Sequence, residues 1–119
     1  MAADAFAALR GHKYISLVTF RKSGTAVPTP VWFAEQGGRL YVMTRSDSGK
    51  YKRIRNQPRV RVAPCTIRGR ITGPEIAATA LILPADNPVA RPALAGKYWL
   101  LRFPWLWSRK NIFLEIRPS

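Results

Sequence analysis

The chain is poor in the residues that carry most metal and nucleophile chemistry, with one cysteine, Cys65, and one histidine, His12, among 119 residues. A single thiol excludes an internal disulfide framework and a cysteine-rich zinc site, and a single imidazole leaves nothing for a histidine cage or relay. Neither residue lies in a motif that would activate it, so both read as structural and no metal is expected. Acids are scarce too: six Asp and Glu stand against twenty Lys and Arg, a formal charge of +14. Long apolar runs are missing, because the greasiest stretch, Trp99 to Trp107, is broken by Arg102 and Pro104; no transmembrane segment is expected. The first residues include Asp4 and lack a basic start followed by an apolar run, which does not read as a secretory signal and leads us to expect a cytoplasmic protein.

What is present is the composition of a folded chain, 47% apolar and 22% charged, at a length that suits one domain, residues 1–119. The excess of cations recruits anions, and composition alone does not choose among nucleic acid, an anionic membrane and a phosphorylated small molecule.

Local patterns predict mostly strands. Residues 2–10 suggest a short helix ended by Gly11. The β-branched and aromatic run Tyr14–Phe20, the turn residues Lys22-Ser23-Gly24 and the run Ala26–Phe33 read as a hairpin. Pro28 and Pro30 confine its second strand to a sheet edge, because proline cannot donate to a ladder. Gly37-Gly38 then turns into Leu40–Thr44, which predicts a meander of three strands. From Asp47 a short helix is expected, stopped by Pro58. Strands follow at Val60–Pro64, Arg70–Thr72 and Ala77–Leu83, a helix at about Ala93–Arg102, and a last strand at Asn111–Arg117. Six or seven strands with at most three short helices point to a small antiparallel barrel of Greek-key type, too small to enclose a large ligand.

The segment Tyr41 to Pro58 has the most chemistry in it. A strand ending at Thr44, a polar turn Ser46-Asp47-Ser48-Gly49 and a helix start bearing Lys50 bring together a hydroxyl, free backbone N–H groups and an ammonium, a natural seat for phosphate. The plainer reading also stands: Asp47 or Ser48 only caps the helix, and the seven basic residues between Arg45 and Arg61 form a solvated face.

Three motifs in order carry a resemblance: Thr29-Pro30-Val31-Trp32-Phe33, Thr44-x5-Lys50 and Asn56-x-Pro58-Arg59-Val60. Across about residues 13–83 the chain resembles the pyridoxamine-phosphate-oxidase-like split β-barrel superfamily, and within it the small F420-dependent (deazaflavin) oxidoreductases. The proline-interrupted stretch 87–107 departs from the family's longer helical region. The resemblance implies a homodimeric, mainly β split barrel of flavin-reductase type. It places the cofactor phosphate on Thr44, Ser48, Gly49 and Lys50 and the ring along Pro30, Val31 and Trp32. Coenzyme F420 carries a lactyl-oligoglutamate tail that Lys52, Arg53 and Arg55 would suit, whereas FMN, the alternative cofactor, has none. The implied reaction is hydride transfer between the reduced deazaflavin and an unidentified small organic substrate. Its proton source is open between Tyr98 and solvent, and no catalytic residue is assigned.

Other readings compete. The same fold can bind F420 or FMN without catalysis. A barrel binding single-stranded nucleic acid would interleave aromatics with its cations, yet Tyr51 alone does so between Arg45 and Arg61, so no specific nucleic-acid partner is expected. Trp32 is either a ring-stacking residue or a core aromatic. Trp99, Trp105 and Trp107, flanked by Lys97, Arg102, Arg109 and Lys110, suit a subunit interface, a substrate pocket or a peripheral contact with anionic membrane, the first two being favoured.

Overall fold

A computed structural model describes residues 5–84, 87–98 and 111–118. A 3-10 turn at Ala7–Leu9 precedes β1 (Tyr14–Phe20), β2 (Ala26–Trp32), β3 (Ala34–Gln36), β4 (Arg39–Arg45), α1 (Gly49–Asn56), β5 (Arg59–Cys65), β6 (Ile76–Leu83), α2 (Ala90–Lys97) and β7 (Asn111–Pro118). All seven strands join one antiparallel sheet in the order β2-β1-β5-β6-β7-β4-β3. The sheet curls into a split barrel. Its two ends meet in one core, where Leu17 and Val31 from one side pack with Leu40, Val42, Leu114 and Ile116 from the other.

Six of the seven strands fall where the alternation predicts them, β3 is not among the expected strands, and the expected meander does not form. β4 pairs with β3 and β7, and β2 lies at the opposite end of the strand order. The short β3 takes up the Gly37-Gly38 turn, both glycines at positive φ (62° and 77°), so the hairpin that leads into β4 is local to β3. Three other expectations change. The N-terminal helix is reduced to the 3-10 turn, with residues 1–4 outside the described range. Residues 70–72 form only a bridge, Ile71 to Cys65. The second helix starts at Ala90, ahead of Pro92, and ends at Lys97. Pro92 falls in the first helical turn, where backbone N–H groups have no intrahelical partner, so it removes no bond. Asn87 Oδ1 accepts from the Val89 and Ala90 N–H groups, each at 3.0 Å, and opens that turn. The expected extension to Arg102, and Trp99, Trp105 and Trp107, lie outside the described residues.

Phe6 and Leu9 close one end of the barrel, and α1 supplies Ile54 to the same core. Outside the barrel, α2 lays Ala90, Leu94 and Tyr98 on Ala34, Tyr41 and Phe113. Among the described residues no helix is long and apolar enough to cross a membrane.

Ile54 is the sole fully buried side chain of α1, so its truncation tests what fixes that helix. Ile54→Ala should cost about 2–5 kcal/mol in urea unfolding, whereas Leu81→Ala, on a side chain 37% exposed, should cost under about 1 kcal/mol. Equal costs would show that α1 is not anchored through the core.

Candidate functional site

The site grows from two edges that the sheet leaves open. In the β1–β2 hairpin the Arg21 N–H donates to the Thr25 carbonyl at 3.0 Å. With the observed register, the hydrogen-bonded pairs are then Thr19/Val27, Leu17/Thr29 and Ile15/Val31, because bonded and non-bonded pairs alternate. Pro28 and Pro30 sit at the non-bonded positions, so their missing N–H groups cost the ladder nothing and their carbonyls point away from β1. The outer edge of β2 thus offers acceptors at Pro28 and Pro30, then both a donor and an acceptor at Trp32. Across the split, β3 ends at the Ala34/Tyr41 pair, and the next outward backbone of β4 is that of Met43. Among the described residues no strand pairs with either stretch.

Val31 and Trp32 do different things. Val31 points into the barrel core, 9% exposed, and its backbone groups are turned to Ile15 of β1, so of the three expected ring contacts it alone offers no polar group to the outer edge. Trp32 is half-buried and stacks on Tyr98, ring centroids 4.6 Å apart and planes 8° from parallel. Pro30 is exposed, and a Cβ at Gly69 would stand 3.9 Å from its ring.

One mouth of the barrel holds the polar half of the site. Ser48 caps α1, its Oγ accepting from the Tyr51 N–H at 3.2 Å, and lies 3.1 Å from Thr44 Oγ1. Gly49 leaves room for Arg53: a methyl there would stand 2.7 Å from Arg53 Nη1. The Arg53 Nε donates to Thr19 Oγ1 at 2.6 Å, which turns the guanidinium toward β1. Loss of water around half-buried Lys50, and then the Arg53 charge, lower the Lys50 pKa. Burial and then Arg21 lower that of Arg53. Three cations therefore press on one another. Every described carboxylate is engaged elsewhere: Glu35 by Arg10, Asp47 by Arg45, Glu75 by Arg61, and Glu115 by Arg39 and Arg117.

The structure thus brings Thr44, Ser48, Gly49, Lys50 and Arg53 together and separates Lys52 and Arg55 from them. Residues three apart share a helix face and residues two apart do not, so Lys50 and Arg53 face the barrel. Lys52 is exposed and Arg55 lies over the Tyr51 ring at 5.6 Å. The sequence reading missed Thr19 and Arg21. Their signal was available, since alternation puts both on one side of β1 as it runs into its turn. The His12 carbonyl accepts from Lys97 Nζ at 2.7 Å, and burial raises the Cys65 thiol pKa. Among the described residues no cluster of His, Cys, Asp and Glu could hold a metal. Tyr98 Oη accepts from the Phe33 N–H at 3.0 Å and reaches the carbonyls of Phe33 (2.8 Å) and Lys13 (2.5 Å). Burial pushes its pKa up to about 12, so it is poorly placed to release a proton.

A family model described as pyridoxamine 5′-phosphate oxidase matches residues 1–99. No curated protein matches. Among solved structures, the heme storage protein HutZ from Vibrio cholerae is similar over 92% of this chain and 84% of its own, at 10% identity and a TM-score of 0.75. A structure described as an F420 reductase is similar over 95% and 91%, at 21% identity and 0.69. General stress protein 26 from Bacillus anthracis is similar over 94% and 84%, at 24% identity and 0.67. At these identities the likeness concerns the fold.

Lys97 permits a direct check of the electrostatics at the far end of β2. Its ammonium lies 3.5 Å from the Phe33 ring centroid, and loss of water lowers its pKa to about 8, with Glu35 acting in the raising direction. Folded-state depression means that the unfolded chain holds this proton more tightly, so this group favours folding increasingly as pH rises from about 8 toward 10.5. The Lys97 Cε resonance should titrate near pH 8, and Glu35→Gln should shift the midpoint lower. A midpoint at the ordinary lysine value would contradict this environment.

Proposed function

The chain belongs to the pyridoxamine 5′-phosphate oxidase family, and from that premise we propose that it is an F420-dependent oxidoreductase acting on a small organic substrate. The observation that carries this reading is the group Lys50, Arg53 and Arg21 at the start of α1, for which no described carboxylate supplies a counter-charge. A phosphate there would relieve the mutual repulsion and meet the hydroxyls of Thr44 and Ser48.

The residues fit a deazaflavin in a second respect. The Pro30 carbonyl and the Trp32 N–H are neighbours on the outer edge of β2, an acceptor beside a donor, which complements an imide N–H and C=O. Counted along the strand, Pro30 lies about 10 Å and Trp32 about 17 Å from Val27, beside the cation group. A ligand with a phosphate at one end and an imide at the other spans such a site. Lys52 and Arg55, on the solvent side of α1, would draw the tail carboxylates from outside. Bound there, a reduced deazaflavin supplies a hydride. The protein's part is to hold the ring against β2, keep the phosphate fixed and exclude water, and this needs no acid-base pair of its own.

Homodimerisation is part of this reading, since a barrel whose interior is filled by side chains must bind a ring system on its surface or between subunits. FMN in the same seat is the alternative cofactor, and binding without catalysis the alternative role. A heme-storage role like that printed for the Vibrio cholerae neighbour has less support. His12 precedes β1 and the cation group lies at the other end of that strand, about 20 Å away, so no histidine stands beside the group.

Two measurements test the proposal. Lys50→Ala should weaken F420 binding about ten- to hundredfold at 0.15 M salt, the effect of one charge-assisted hydrogen bond, while Arg39→Ala, at the end of β4 away from Thr44, should change it little because exposed distant charges are screened. Similar small losses would mean that the phosphate sits elsewhere. F420 should also bind more tightly than FMN, and Lys52→Ala with Arg55→Ala should erase that preference; an unchanged preference would remove the tail from the argument.

A further inference from the structure

Tyr98 and Lys97 form a clamp at the end of the site farthest from the phosphate group. Lys97 Nζ donates to the His12 carbonyl, and Tyr98 Oη reaches the carbonyl of the next residue, Lys13, immediately before β1. The same phenol oxygen accepts from the N–H of Phe33, the residue at which the chain leaves β2 for β3, and the Lys13 and Phe33 carbonyls share its single proton. A phenol has one proton to donate and two lone pairs, so these contacts lock Tyr98 in place. It is 7% exposed, and its ring lies flat on Trp32.

These contacts converge on the Trp32 backbone. Trp32 pairs with Tyr14 in the ladder, its neighbour Phe33 is held through its N–H, and its indole is held by the stack. Its outward N–H and the adjacent Pro30 carbonyl form the edge offered to a ligand ring, and among the described residues no strand lies outside them to fix their spacing.

We propose that Tyr98 is a positioning residue for ring recognition: by pinning Phe33 and stacking on Trp32 it sets the Pro30–Trp32 edge of β2 to receive a planar imide. The inference rests on the F420 reading and concerns the ring, whereas Lys50 and Arg53 concern the phosphate.

The two parts are separated with two ligands, F420 and inorganic pyrophosphate. Tyr98→Phe keeps the stacked ring and removes the hydroxyl. It should weaken F420 binding about tenfold and leave pyrophosphate affinity unchanged. Parallel losses for both ligands would mean a merely structural role, and no loss for either would mean that the edge is set without Tyr98; each overturns the proposal. A wild-type protein that binds pyrophosphate and not F420 would instead overturn the function proposed above. Should the variant not fold, hydrogen exchange on the wild-type chain decides: the Phe33 amide, bonded to Tyr98, should be protected without ligand, and the Trp32 amide should gain protection with F420 and not with pyrophosphate. No gain with F420 would refute the clamp.

Discussion

The outer edge of β2 cannot donate hydrogen bonds between Pro28 and Pro30, and the rest of the architecture follows from that deficiency. A curled antiparallel sheet brings its two free edges together, and free edges with both donors and acceptors tend to pair. Here the prolines sit at the non-bonded positions of the β1 ladder, so β2 keeps all its bonds to β1 and offers carbonyls to the split. Closure into a continuous barrel would leave facing acceptors without partners. The split is thus written into two side chains that do not disturb the core beneath them, where Val31 and Leu17 still pack.

An open edge is a liability unless its ends are fixed, and the two ends are fixed differently. At the Val27 end, α1 is held by Ile54 in the core and by the Arg53 bond to Thr19. At the Trp32 end, α2 reaches over β3 and β4 and delivers Lys97 and Tyr98 to the segment before β1 and to Phe33. One helix presents cations and capping N–H groups, and the other a buried phenol in an apolar cluster. The asymmetry suits an elongated ligand that is anionic at one end and flat at the other.

Most of this scaffold was legible in the sequence because strand alternation, glycine turns and prolines act locally. The edge position of β2 followed from Pro28 and Pro30, and the start of α1 from a cap at Asp47 or Ser48, of which the structure uses Ser48, followed by a basic run with Pro58 beyond it. Strand order was not legible. Leu40–Thr44 reads the same whether it pairs with β2 or β7, and the choice is made by packing between residues more than seventy positions apart, as in the Val42/Leu114 pair. The site divides along the same line. Thr44, Ser48, Gly49 and Lys50 were readable from one contiguous motif, and Thr19 and Arg21 were not, because only the fold sets the end of β1 beside α1. The run Lys50 to Arg55 read as a single anion track, and helical spacing divides it into a barrel-facing pair and a solvent-facing pair.

The barrel-facing pair is by itself unfavourable for the fold. Lys50 and Arg53 share a face, each lowers its charge affinity by losing water, and Arg21 adds a third positive charge. A chain selected for stability alone would place a carboxylate among them, as it does with Glu115 between Arg39 and Arg117 on the far side of β7. Like charges held together without a counter-charge are expected where an anion completes the arrangement. The same inference does not extend to Lys52 and Arg55, which are free to spread in solvent and cost the fold little. The two halves of the basic run therefore carry different weight: the half-buried, barrel-facing pair argues for a bound anion by its mutual repulsion, and the exposed pair only raises the local concentration of anions around it.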